Sequence, residues 1–210
     1  MWCLFENLPQ GGYRGGLIEE NGIKIMKNVD FILGGLGGQG ILFMTKVLAR
    51  AAADKGFKVM GAETHGMAQR GGSVVSHLRL GEVESTLVRE GSADVVLALE
   101  ENEAYRNIPF LKAGGQLYAS APDHDFPREA AKSYLDQKGI VYRSAPAAEI
   151  AMSLGAPMSS NLALLGYFSA FQKEPVSYEE LKSTIEKISP ERFKEVNLRV
   201  LEAGHKEAGA

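Results

Sequence analysis

The chain has 210 residues, 45% hydrophobic and 23% charged, with a formal net charge of −3. That length buries one sizeable core, and the acidic balance argues against nucleic acid as the main partner, because neutralising phosphates needs a basic face. No apolar run approaches the roughly 20 residues that span a bilayer, so no membrane partner is expected, and Met1-Trp2-Cys3-Leu4-Phe5-Glu6 lacks the basic segment and apolar core of a signal peptide.

The single cysteine, Cys3, excludes an internal disulfide, a cysteine-held iron–sulfur cluster and a structural zinc on this chain. A reducing cytoplasm is the expected compartment.

Residues 1–25 hold Gly11-Gly12, Gly15-Gly16 and Gly22 among aperiodic apolar residues. They read as a poorly ordered extension. A sharper reading makes Met26 the initiator. Glu19-Glu20 can be encoded by a purine-rich ribosome-binding sequence, which would leave residues 1–25 untranslated. Residues 26–207 then form one domain.

From Val29 strands and helices alternate. Residues 29–33 are a short apolar strand, and 38–55 a helix with Ile41, Leu42, Thr45, Leu48, Ala49 and Ala52 at spacings of three and four. Gly56 stops that helix. Residues 57–62 are the next strand. In 73–80, Val74, Ser76, Leu78 and Leu80 alternate with Ser73, Val75, His77 and Arg79. That alternation predicts one solvated face, or an edge-side or antiparallel strand, with His77 toward solvent or a partner. The unbroken apolar run 93–99 predicts a central parallel strand.

A helix over 101–111, ended by Ala113-Gly114-Gly115, precedes strands at 116–119 and 140–142, with a helix at 127–138 between them. After Arg143 the chain reads as helical: 147–154, 160–172, 178–188 and 191–206. Ser177 and Glu180 form a capping-box pattern, and Ser189-Pro190 an N-cap followed by proline. The expected fold is an α/β/α three-layer sandwich with a mostly parallel sheet, a Rossmann-like start and a helical C-terminal part.

Two segments stand out. In Gly34-Gly35-Leu36-Gly37-Gly38-Gln39-Gly40, the residues Gly35, Gly37 and Gly40 fit G-x-G-x-x-G between a strand and a helix, where backbone N–H groups and the helix dipole favour an anion. Glu63 follows at the distance of a ribose-binding acid. The second segment crowds Glu63, Thr64, His65, Gln69 and Arg70 among Gly66, Gly71 and Gly72. Arg70 offers a planar fork to a carboxylate or phosphate, Gly71-Gly72 an anion nest, and His65 a group that titrates near neutrality. The two segments are expected on one edge of the sheet. Residue types alone leave three readings open: a nucleotide-binding NAD(P)-dependent oxidoreductase, an interaction module whose turns only pack, and a subunit of a larger enzyme. No metal set and no nucleophilic triad is visible.

Together, the turn and His65-Gly66-Met67-Ala68-Gln69-Arg70-Gly71-Gly72-Ser73-Val74-Val75-Ser76-His77 resemble the gamma-type subunits of 2-oxoacid:ferredoxin oxidoreductases. The likeness continues through 94–100, Gly114-Gly115, Ser160-Asn161-Leu162-Ala163-Leu164-Leu165-Gly166 and Glu195-Val196-Asn197-Leu198. The Gln69-Arg70-Gly71-Gly72 form of the loop is most similar to the indolepyruvate branch. The resemblance implies a subunit with little activity alone. Its larger partner holds thiamine diphosphate, magnesium and iron–sulfur clusters, coenzyme A is the co-substrate, and ferredoxin accepts the electrons. It also places Gly35, Gly37, Gly38, Gln39, Gly40, Glu63, His65, Gly66, Gln69, Arg70, Gly71 and Gly72 at the active-site edge, with Asn161 more simply a cap or packing residue. His124, between Asp123 and Asp125, reads as a solvated turn.

Overall fold

The computed structural model describes residues 17–20, 23–26, 28–65, 71–121 and 126–209. Most of 1–25, and His124 with its aspartates, lie outside them. Two short strands, β1 (Leu17–Glu20) and β2 (Ile23–Met26), pair antiparallel as a separate two-stranded sheet.

The main sheet contains β3 (Val29–Leu36), β4 (Val59–His65), β5 (Ser73–Leu80), β6 (Ala93–Ala98), β7 (Leu111–Ser120) and β8 (Val141–Ala145) in the order β4-β5-β3-β6-β7-β8. The strands β3, β6, β7 and β8 run parallel, and β5 is antiparallel to both of its neighbours. The alternating pattern of 73–80 therefore marks an antiparallel strand, one in from the edge.

Period-2 alternation divides the core. Phe31, Leu33, Leu78, Val95, Leu97 and Tyr118 face one helical layer: α1 (Ile41–Asp54), α4 (Ala147–Ser153), α5 (Ser160–Phe171), α6 (Tyr178–Ile188) and α7 (Glu191–Glu207). Ile32, Val96, Ala98, Leu117 and Ala119 face the other, built from α2 (Glu101–Asn107) and α3 (Glu129–Gln137). The three-layer expectation holds. Helix α5 is buried from Ser160 to Ser169. Its backbone meets that of α7 closely, since a Cβ on Gly166 would lie 2.1 Å from the Leu201 carbonyl oxygen.

Several element boundaries differ from those read in the sequence. Strand β3 runs on to Leu36, so Gly34 and Gly35 are ladder residues rather than turn, and α1 begins only at Ile41. Leu42 points outward while Met44 and Val47 are buried. Strand β4 starts later and ends later, taking in Glu63, Thr64 and His65. Helix α2 ends at Asn107 and gives way to a 3₁₀ turn, Ile108–Phe110. Pro109 cannot donate the next helical bond, and β7 then absorbs Gly114-Gly115.

The Ser177–Glu180 capping box forms as read. Ser189, in contrast, closes α6 through its N–H to Ile185, and its hydroxyl accepts from Asn197, so Pro190 rather than Ser189 precedes α7. No described helix is long and apolar enough to cross a membrane.

Candidate functional site at the carboxyl edge of the sheet

The register explains why the two glycine segments meet. Leu36 pairs with Ser73, so β3 leaves the sheet where β5 enters it. The Gly37 N–H donates to the Gly72 carbonyl at 2.8 Å, and the Gly71 N–H to the Gly37 carbonyl at 3.4 Å. The turn and the end of the second segment thus form one backbone unit, as expected.

Side chains from three elements lock this unit. Gln39 folds back: its Oε1 accepts the Leu36 N–H at 2.8 Å, and its Nε2 donates to Glu100 Oε1 at 2.5 Å. Gly40 sits at φ +80°, and its carbonyl accepts from the Met44 N–H and from Asn161 Nδ2 at 2.9 Å. A Cβ on Gly40 would lie 2.5 Å from Asn161 Nδ2. Asn161 is 2% exposed, and its Oδ1 accepts the Leu162 N–H. It joins α5 to the turn, which fits the cap-and-packing role. On the opposite layer, Ser73 Oγ donates to Glu103 Oε2 at 2.7 Å.

The turn is therefore less open than its sequence implies. The amides of Leu36, Gly37 and Gln39 are bonded within the fold and do not form a ring facing a ligand. Glu100 adds a carboxylate beside them. Next to it, Glu101 is held below the usual carboxylate range by the Tyr105 hydroxyl at 2.7 Å and by Arg128. Arg128 already offsets Glu101, so an anion at this edge needs a further cation only against Glu100.

Glu63 does not lie on the strand beside β3. It lies on β4 opposite Ser76, with β5 between it and β3. In a nucleotide site the ribose acid ends the strand directly beside the first, whereas β4 lies two strand spacings, about 9–10 Å, from β3. The backbone of His65 ends β4 opposite Val74 on the same edge. Gly66, Gln69 and Arg70 fall outside the described residues.

The sequence reading missed Glu100, Ser73 and Glu103. A carboxylate sharing the inner face of α2 with Ala104 and Asn107 was the available signal for Glu103. The reading also placed His77 toward solvent or a partner. It is 5% exposed, edge-on to Phe110, and its Nδ1 accepts the Val88 N–H at 3.3 Å.

Beside the turn, a groove of about 430 Å³ is walled by Gly38, Gly40, Phe43, Met158, Leu162 and Phe193. Its lining is largely carbon. Phe193 of α7 lies 45% exposed along it.

Residues 30–207 match the family described as pyruvate ferredoxin/flavodoxin oxidoreductase, and the chain belongs to that family. It is 36% identical over 199 residues to the indolepyruvate oxidoreductase subunit IorB of Thermococcus kodakarensis, covering 87% of this chain and 97% of that one. To the IorB of Archaeoglobus fulgidus it is 34% identical over 191 residues, covering 86% and 95%. Among solved structures, the pyruvate oxidoreductase subunit PORC of Thermotoga maritima superposes with a TM-score of 0.68 at 23% identity, covering 86% and 97% of the two chains. That last likeness is one of fold.

Proposed function

We propose that this chain is the small, cluster-free subunit of an indolepyruvate-type 2-oxoacid:ferredoxin oxidoreductase. It acts in the cytoplasm beside a larger subunit. The observation that carries this reading is the identity to IorB chains over nearly the full length of both partners. In the proposed reaction an aryl-pyruvate loses carbon dioxide, its acyl group passes to coenzyme A, and the electron pair released goes to ferredoxin.

Thiamine diphosphate, magnesium and the iron–sulfur clusters belong to the larger subunit in this reading. This chain lacks the cysteines that a cluster needs. It has one cysteine, and no group of three or more His, Cys, Asp or Glu able to hold a metal occurs among the described residues. The chain contributes a wall of the active site through Gly35, Gly37, Gly38, Gln39, Gly40, Gly71 and Gly72. Arg70 supplies a cation against Glu100, paired with the substrate carboxylate or a coenzyme A phosphate. His65 hydrogen-bonds at the edge. Gly66 and Gln69 belong to the same active-site edge in this reading.

The test is co-expression with the adjacent large subunit and an anaerobic assay of aryl-pyruvate- and coenzyme A-dependent viologen reduction, with and without this chain. Activity that needs both chains supports the reading, and a large subunit fully active alone overturns it. In the active complex, Arg70→Ala is expected to raise the KM of one anionic substrate about ten-fold or more, the effect of losing a charge-assisted hydrogen bond. Unchanged KM values for both substrates remove that role.

A further inference from the structure

Glu103 is a carboxylate with 1% of its surface exposed. It sits on α2, in the helical layer opposite Asn161. Its oxygens accept from Ser73 Oγ at 2.7 Å and from Arg106 Nη1 at 2.8 Å. Ser73 directly follows Gly71-Gly72 and pairs with Leu36, the last residue of β3. One residue back, the Gly72 carbonyl accepts the Gly37 N–H. A continuous path therefore runs from Glu103 through Ser73 and Gly72 to the glycine turn.

Helix α2 approaches this closely because residue 34 has no side chain. A Cβ on Gly34 would lie 2.6 Å from Asn107 Nδ2, which itself donates to the Glu103 carbonyl at 2.8 Å. Burying a carboxylate is unfavourable unless it is paired and hydrogen-bonded. A leucine at 103 would pack α2 against the sheet at lower cost. Only an acceptor there reaches the Ser73 hydroxyl and so fixes where the second glycine segment joins the sheet.

We propose that Glu103 is a positioning residue: through Ser73 it holds the Gly71-Gly72 hinge against the glycine turn and so orders the active-site edge proposed above. The kinetic consequence rests on the function proposed above; the hinge itself does not.

The test has two arms, using Glu103→Leu and Ser73→Ala. The second removes the same bond with less risk to folding. In the full chain, amide exchange at Gly37 and across residues 71–74 rises about ten-fold in both variants, while β6 and β7 keep their protection. Combining the two changes adds little, because both break one interaction. Ser73→Thr, which keeps the hydroxyl, restores protection. In the reconstituted complex, the KM of the anionic substrate rises several-fold, kcat stays within about two-fold, and Ser73→Thr restores KM.

Unchanged exchange at Gly37 and residues 71–74 overturns the proposal, as does an equal rise throughout the sheet. An unchanged KM in an active complex overturns the kinetic consequence. An inactive wild-type complex counts against the proposed function and leaves the exchange experiment to decide the hinge.

Discussion

At the amino end of the sheet, charge is matched to charge. Arg79 forks onto both Asp30 oxygens at 2.8 and 3.0 Å, Asp94 accepts the Asp30 N–H at 2.9 Å, and Lys112 pairs with Asp94. At the carboxyl end, side chains instead hold backbone. Gln39 holds Leu36 and Asn161 holds Gly40, while Ser73 ties the hinge to Glu103. The amino end joins strands that are already regular. The carboxyl end holds glycines in shapes the chain would not keep unaided, and leaves their surfaces open. Charge pairing and the candidate site thus lie at opposite edges, and each can be perturbed with a different signature.

The largest effect is expected at Gly40. In Gly40→Ala, a side chain must adopt φ +80° and also clear Asn161 Nδ2, 2.5 Å from the new Cβ. Strain and overpacking together are expected to destabilise by about 3 kcal/mol, read from urea denaturation. A loss below about 1 kcal/mol would mean that the turn adapts freely and is not locked in the sense drawn here.

Next comes Arg79→Met. It removes the partner of Asp30, whose side chain is 9% exposed, and leaves a mostly buried carboxylate short of donors. Destabilisation of about 2 kcal/mol is expected, with unchanged KM values and turnover in the assembled enzyme. A kinetic defect at normal stability would break the separation between the two ends.

Much of this arrangement was legible in the sequence. The unbroken run at 93–99 gave the central strand, and the alternation at Ser73–Leu80 held an antiparallel strand among its readings. The Gly34 to Gly40 and Gln69 to Gly72 motifs together carried the family. Long-range pairing was not legible. G-x-G-x-x-G followed by an acid reads as a nucleotide site only if the second strand lies beside the first, and local pattern does not report that β5 intervenes. Nor does it report that Gln39 turns inward to occupy the amides a ligand would use. Glycines announce a special backbone, and only the packing around them decides between a ligand and a neighbouring side chain.

His77 gives the smallest effect and separates the two faces of β5. Alternation alone put it outward, but the loop carrying Val88 and the 3₁₀ turn carrying Phe110 cover that face. Burial lowers the pKa of the imidazole from its ordinary 6.5, and acceptance of the Val88 N–H requires an unprotonated Nδ1. The unfolded chain therefore takes up the proton first as pH falls. The contribution of His77 is fully present above about 6.5 and is lost as pH drops through that value toward the lower folded one. Urea midpoints at about pH 7.5 and about pH 5.5 should fall in the wild type and fall less in His77→Leu. At the higher pH the variant should itself be weaker by about 1 kcal/mol, because the Val88 N–H loses its acceptor. Equal pH dependence in both proteins would place the imidazole in contact with water and return β5 to a strand with one solvated face.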